Sequence, residues 1–248
     1  MPTPVTASAS SSPSTPSADE HALLAEVLVE NVRPDGVDYA ALRRDHTKLD
    51  AYRAQLARIK LPDDKRERMA LYINAYNAWT LALVVDLLPA DRAKWSSWSI
   101  KDGGSLTQNV WKKFDFELAG ERLTLDRLEH ERLRPMGDPR IHFAINCASR
   151  SCPSLAATPY HAQTLEAELA AATQAFLKDP TQLRLRGGAL EINPILDWFA
   201  ADFASLGGVR AFLRDHVVEG PIKEYLRGTG KLGFFDYDWS LNLTATPR

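Results

Sequence analysis

Only two of the 248 residues are cysteine, which excludes a disulfide-dense scaffold. Glycine is sparse too, at 13 residues, and a collagen-like repeat is excluded. Neither sign of charge dominates: 30 Lys and Arg face 32 Asp and Glu, a formal net charge of -2. That balance supplies no broad positive field for a polyanion. The basic clusters are short pairs, Arg43-Arg44 and Lys112-Lys113, which read as solvated faces. Nucleic acid is therefore not an expected partner. A long apolar run is missing as well. Met69–Val85 carries no formal charge, but Asn74, Asn77 and Thr80 interrupt it and Asp86 ends it. A spanning helix needs about 20 predominantly apolar residues. The expectation is a buried core helix and no integral membrane segment.

What is present is an ordinary globular composition, 45% hydrophobic and 25% charged, which rules out disorder of the whole chain. Met1–Ala18 is mostly Ser, Pro and Thr and should form a disordered tail. It holds no apolar core of a secretory leader. The compartment stays open, export included if a leader has been cut away. Residues 19–248 are expected to form one domain.

Order should begin near Ser17, which stands at capping-box spacing from Glu20. Leu23, Leu24, Val27 and Leu28 recur at helical period, Pro34-Asp35-Gly36 marks a turn, and Leu49, Tyr52 and Leu56 predict a second helix. Asp63 or Asp64 can cap a helix running to about Leu88. Phe114, Phe116 and Leu118 alternate with polar residues before Ala119-Gly120, a strand and turn. Thr124 can cap a helix through Leu133. Arg140–Asn146 reads as a buried strand, with a helix start at Pro153. Leu165, Leu169, Ala172 and Phe176 share one helical face. Leu183–Leu185 and Leu190–Ile192 flank Gly187-Gly188 as a hairpin, and Asn193-Pro194 opens further helices up to about Leu226. With no internal repeat, this predicts a helix-rich α+β domain with a small, mostly antiparallel sheet.

Chemistry concentrates in Asn146-Cys147-Ala148-Ser149-Arg150-Ser151-Cys152-Pro153. A thiol between a strand end and a helix start tends toward thiolate, the nucleophilic form, and Arg150 would push the same way. The plainer alternative is a pair of buried small side chains or a local disulfide. A thiol enzyme also needs a base and a group that orients it. His142, sharing a strand face with Ala144 and Asn146, is the first candidate base; His130 is the second. Neighbouring helix positions lie about 100° apart, so Glu129 and His130 should meet different partners. Asn74 and Asn77 share one face of the apolar helix, and buried amides demand partners. Asn77 either braces loops or orients a catalytic group. Zinc is the rival chemistry, with Cys147, Cys152, His130 and His142 as ligands, although eleven residues separate the histidines. No complete phosphate-loop or Gly-x-Ser-x-Gly pattern occurs.

Tyr72–Ala78, Leu128-Glu129-His130, Asp138–Pro153 and Tyr237–Asn242 together resemble the DUF547 family, a domain of unknown function. The likeness is expected to cover most of the chain beyond about residue 35. The resemblance implies no settled activity and transfers no catalytic role. Fusion of some eukaryotic members to glutaredoxin, DEP or leucine-zipper-like regions hints at thiol chemistry or scaffolding, and bacterial members often look exported.

The leading expectation is a thiol-dependent acyl-transfer enzyme or hydrolase of papain-like or transglutaminase-like logic. Cys147 is the first nucleophile and Cys152 the second, His142 or His130 the base, and Glu129 or Asn77 its orienter. Arg140, Arg150 and Asn146 would contact a peptide-like or small-molecule substrate. No cofactor is expected. A non-catalytic binding module with a structural cysteine pair and a zinc protein are the alternatives.

Overall fold

The computed structural model describes residues 20–105 and 109–245. The expected tail, Met1–Ala18, and the cap at Ser17 lie outside the described residues. The first helix, Ala22–Asn31, buries Leu24, Val27 and Leu28 against Thr47–Arg58, which buries Leu49, Tyr52 and Leu56. These are the positions the apolar periodicity selects.

The central element is the helix Lys65–Leu87. Asp64 caps it, accepting from the backbone N–H groups of Arg66 and Glu67 at 2.8 and 3.0 Å. Every residue from Met69 to Val85 is buried, so this helix is sheathed by the rest of the protein. No helix among the described residues is long and apolar enough to cross a membrane. Its two amides have backbone partners. Asn74 bonds both the carbonyl and the N–H of Tyr160, at 2.8 and 2.9 Å. Asn77 donates to the Ala144 carbonyl at 3.0 Å and accepts from the Asn146 N–H at 2.8 Å.

Helix accounts for 53% and strand for 11%, a helix-rich α+β fold. The strands are dispersed over three small sheets. Val32–Arg33 pairs with Gly36–Val37 around the expected turn, and Phe116–Leu118 with Glu121–Leu123. Leu183–Arg186 and Ala189–Ile192 form the third hairpin, extended by a parallel strand, Leu232–Phe234. A second apolar cluster gathers there, around Phe143, Phe176, Phe203 and Phe212.

Two expectations are corrected. Arg140–Asn146 is not a strand: Pro139–Phe143 is a 3₁₀ helix, and the chain then turns. Asp138 caps it by accepting from the Arg140 N–H, and Pro139 supplies a helix-compatible φ at its first position. A short apolar run does not distinguish a buried strand from a buried helical turn. Pro153 does not start a helix either; the next one is Leu165–Lys178. Asn146 Nδ2 takes the Pro153 carbonyl at 2.7 Å and Asn74 takes the backbone of Tyr160, so side-chain amides occupy groups a helix would have used.

The C-terminal segment closes the molecule. Its backbone bonds Val37, Trp98, Ala148 and Arg150 in turn, through Asn242, Leu241 and Ser240. It lies over the cysteine loop and brings Tyr237 and Trp239 to it.

Candidate functional site

Glu129 and His130 sit on a π-helical stretch, Leu128–Leu133, that continues the short helix capped by Thr124. They diverge as adjacent helix positions must: Glu129 is buried and His130 is exposed. His142 comes from the 3₁₀ turn, the cysteines from the loop after it, and the aromatic rings from two later segments. Cys147, Cys152, His142, His130 and Glu129 all line one cavity of about 200 Å³.

Cys147 is half-buried and Cys152 is buried; both are free thiols. Their sulfurs lie 3.0 Å apart. The Cys147 sulfur also meets Ser149 Oγ at 3.1 Å and the Tyr237 hydroxyl at 3.3 Å. Ala148 adopts a left-handed backbone with φ of 61° and anchors its N–H on Asn146 Oδ1. This turn lets the Ser149 N–H face the sulfur as well. Hydrogen bonding from Cys152, then from Ser149 and Tyr237, outweighs burial and pulls the Cys147 thiol down to about 6. Burial and the neighbouring sulfur drive Cys152 well upward. Of the two thiols, Cys147 is therefore the one that gives up its proton more readily.

His142 does not touch either sulfur. Its Nε2 lies 2.7 Å from Asp202 Oδ2, and its ring stacks on Phe199 at 3.9 Å. Arg134 grips the same carboxylate with two bonds of 2.7 Å and holds Asp202 below the usual carboxylate range. An ionised carboxylate only accepts, so Nε2 carries the imidazole proton. Nδ1 is then a lone pair; it is buried without a hydrogen-bond partner, 3.9 Å from Glu129 Oε1. Burial drives His142 down to about 4, so the ring is neutral at neutral pH. Burial, followed by the Cys147 charge, lifts Glu129 to about 7; Tyr76 O–H lies 3.4 Å away. A buried carboxyl with a pKa lifted to about 7 thus shares the cavity with Cys147 and stands 3.9 Å from the imidazole.

His130 is held outside this line, with Nδ1 2.6 Å from Arg134 Nη1. Asn77 and Asn146 brace the backbone beneath the cysteine loop. Arg140 is locked onto Asp138 and Glu166 beside a different cavity. Arg150 donates to the Leu243 carbonyl at 3.2 Å. Neither arginine lines the cysteine cavity. Among the described residues no three His, Cys, Asp or Glu side chains are grouped to hold a metal ion, so the expected zinc set is not assembled.

Sequence reasoning missed Asp202, Ser149 and the role of Tyr237. Tyr237 and Ser149 stood inside quoted motifs, but only the tertiary fold shows that they converge on one sulfur. Asp202 lies 60 positions from His142, and no local spacing links them.

The chain matches no curated protein and no solved structure. The expected likeness beyond residue 177, including Tyr237–Asn242, falls outside the matched span. Residues 61–177, the segment that carries Glu129, His142 and both cysteines, match the family model described as a protein of unknown function, DUF547.

Proposed function

We propose that the cavity is the active site of a thiol-dependent acyl-transfer enzyme or hydrolase. The observation that carries this reading is the Cys147 sulfur: half-buried, facing a cavity, and surrounded by donors that favour its thiolate. The thiolate attacks an acyl carbonyl and forms the C–S bond. As the tetrahedral adduct collapses, the bond to the leaving nitrogen or oxygen breaks, and the Glu129 carboxyl supplies the proton. Water or an amine then attacks the thioester, Glu129 takes its proton, and the thiolate returns. A proton carrier near pH 7 suits both halves. Tyr237 stays a phenol because burial pushes it upward, and its oxygen lies 2.8 Å from Ser149 Oγ. Its own proton faces the sulfur and is released to the new oxyanion once the charge leaves sulfur. His142, fixed by Asp202, packs its Nδ1 3.9 Å from Glu129.

The test is acylation of Cys147 by p-nitrophenyl acetate, followed by mass spectrometry and by release of nitrophenol. A burst with one acetyl group on Cys147, lost in Cys147→Ser, supports the reading. Two unreactive thiols, or none free in denatured non-reduced protein, overturn it in favour of a structural cysteine pair.

A further inference from the structure

We propose that the cavity beside Cys147 takes substrates that carry a primary ammonium group next to the acyl group. This inference rests on the thiol reading for its reaction but not for its binding site.

The walls are aromatic. The Trp198 and Trp239 rings stack 5.6 Å apart, with Tyr237 tilted 4.9 and 4.5 Å from them and Trp111 edge-on to Trp239 at 5.8 Å. Trp198 is 48% exposed, so this wall is open to an incoming ligand. Ring faces attract cations, and rings of this cavity already do so: Lys101 Nζ lies 4.5 Å from the Trp239 centroid and the Arg134 guanidinium 5.2 Å from Phe199.

The charges lining the cavity are of one sign. Asp126 and Glu129 contribute carboxyls, Cys147 a thiolate, and no Lys or Arg is among the described lining residues. Arg134 is committed to Asp202, while Lys112 reaches in from outside the lining to Asp126 at 3.7 Å, so among the described residues Glu129 is the lining carboxyl with no Lys or Arg ion pair. His130 faces Asp126 at 3.7 Å.

The buried end also holds an acceptor with no donor of its own. His142 is 1% exposed, and its unpartnered Nδ1 offers only a lone pair. Glu129 Oε1, a second acceptor, is 3.9 Å away. A single N–H-bearing group between these two atoms satisfies both, whereas a carboxylate there meets acceptors on both sides. Aromatic walls, the Glu129 carboxyl and an orphaned acceptor point to the same ligand chemistry.

The experiment uses the full chain and three alkylating agents: iodoacetamide, iodoacetate and 2-bromoethylamine. Each converts the Cys147 thiolate to a thioether with loss of halide, scored by mass spectrometry. Rates are divided by those of 2-mercaptoethanol thiolate at the same ionic strength. The expected result is a normalised cation-to-anion ratio of at least about tenfold, reduced about threefold or more in Asp126→Asn or Trp198→Ala. In parallel, n-butylammonium should change tryptophan fluorescence saturably and n-butyrate should not. A ratio near one, with no saturable change, overturns the cation site even if iodoacetamide labels Cys147 readily. Saturable n-butylammonium binding with an inert Cys147 supports the cation site and removes the thiol mechanism instead.

Discussion

At the scale of single residues, hydrogen-bond donors rather than a directly bonded imidazole lower the Cys147 thiol. Its alkylation rate should therefore rise with pH through an inflection near 6. Cys152→Ala removes the leading donor, and the inflection should climb toward the ordinary thiol range near 8.5. An unchanged profile, followed with iodoacetamide, would mean that Cys152 does not tune its neighbour. Tyr237→Phe keeps the ring but deletes the proton assigned to the oxyanion. It should lower kcat about 10- to 100-fold with little change in KM, read from ester turnover. Asn77 belongs to a different class. Asn77→Ala strands the Ala144 carbonyl and the Asn146 N–H, and should cost about 2–4 kcal/mol by denaturant unfolding. Its folded fraction should keep the pH profile of Cys147 within about twofold in rate. Loss of the profile without loss of stability would restore a catalytic role for that amide.

At the scale of elements, the site depends on how the C-terminal segment is clasped. Gly36 has φ of 148° in the first hairpin, and a Cβ there would meet the Asn242 carbonyl oxygen at 2.3 Å. Backbone cannot yield as a side chain does, so Gly36→Ala should cost roughly 2–4 kcal/mol in thermal or denaturant unfolding. Because Tyr237 rides on the segment that Gly36 admits, the same variant should raise the inflection of Cys147 alkylation. The element boundaries divide by the physics that sets them. Caps and periodicity were legible: Asp64, Thr124 and the Leu49–Tyr52–Leu56 face stand where the pattern put them. Arg140–Asn146 was misread because its apolar residues are buried on all sides, and full burial erases the alternation that separates strand from helical turn. The 153–160 stretch was misread because its backbone partners are amides from distant positions.

At the scale of the whole molecule, burying Glu129 couples stability to pH. Its folded pKa of about 7 lies above the usual 4.5, so between these values the folded protein keeps a proton that the unfolded chain has released. Stability from this group falls as pH rises from about 4.5 to about 7, and the cost is complete above that. Glu129→Gln should therefore be more stable than the wild type by roughly 2–3 kcal/mol above pH 7. The difference should vanish below about pH 4.5 in paired denaturant titrations. A difference that does not depend on pH would show that the carboxyl is not buried in solution.

The sequence by itself determined which residue types were available and where the long amphipathic and apolar helices run: the two clustered thiols, the apolar central helix, its capping residues and its two amides. Those features are local, carried by spacing and composition within a few turns. Tertiary structure alone decided which side chains meet. It gave His142 the partner Asp202, set the Glu129 carboxyl 3.9 Å from the other ring nitrogen, and left Arg140 and Arg150 outside the lining of the Cys147 cavity. Contacts between positions 60 or 90 apart arise from packing, and packing leaves no periodic trace in one chain.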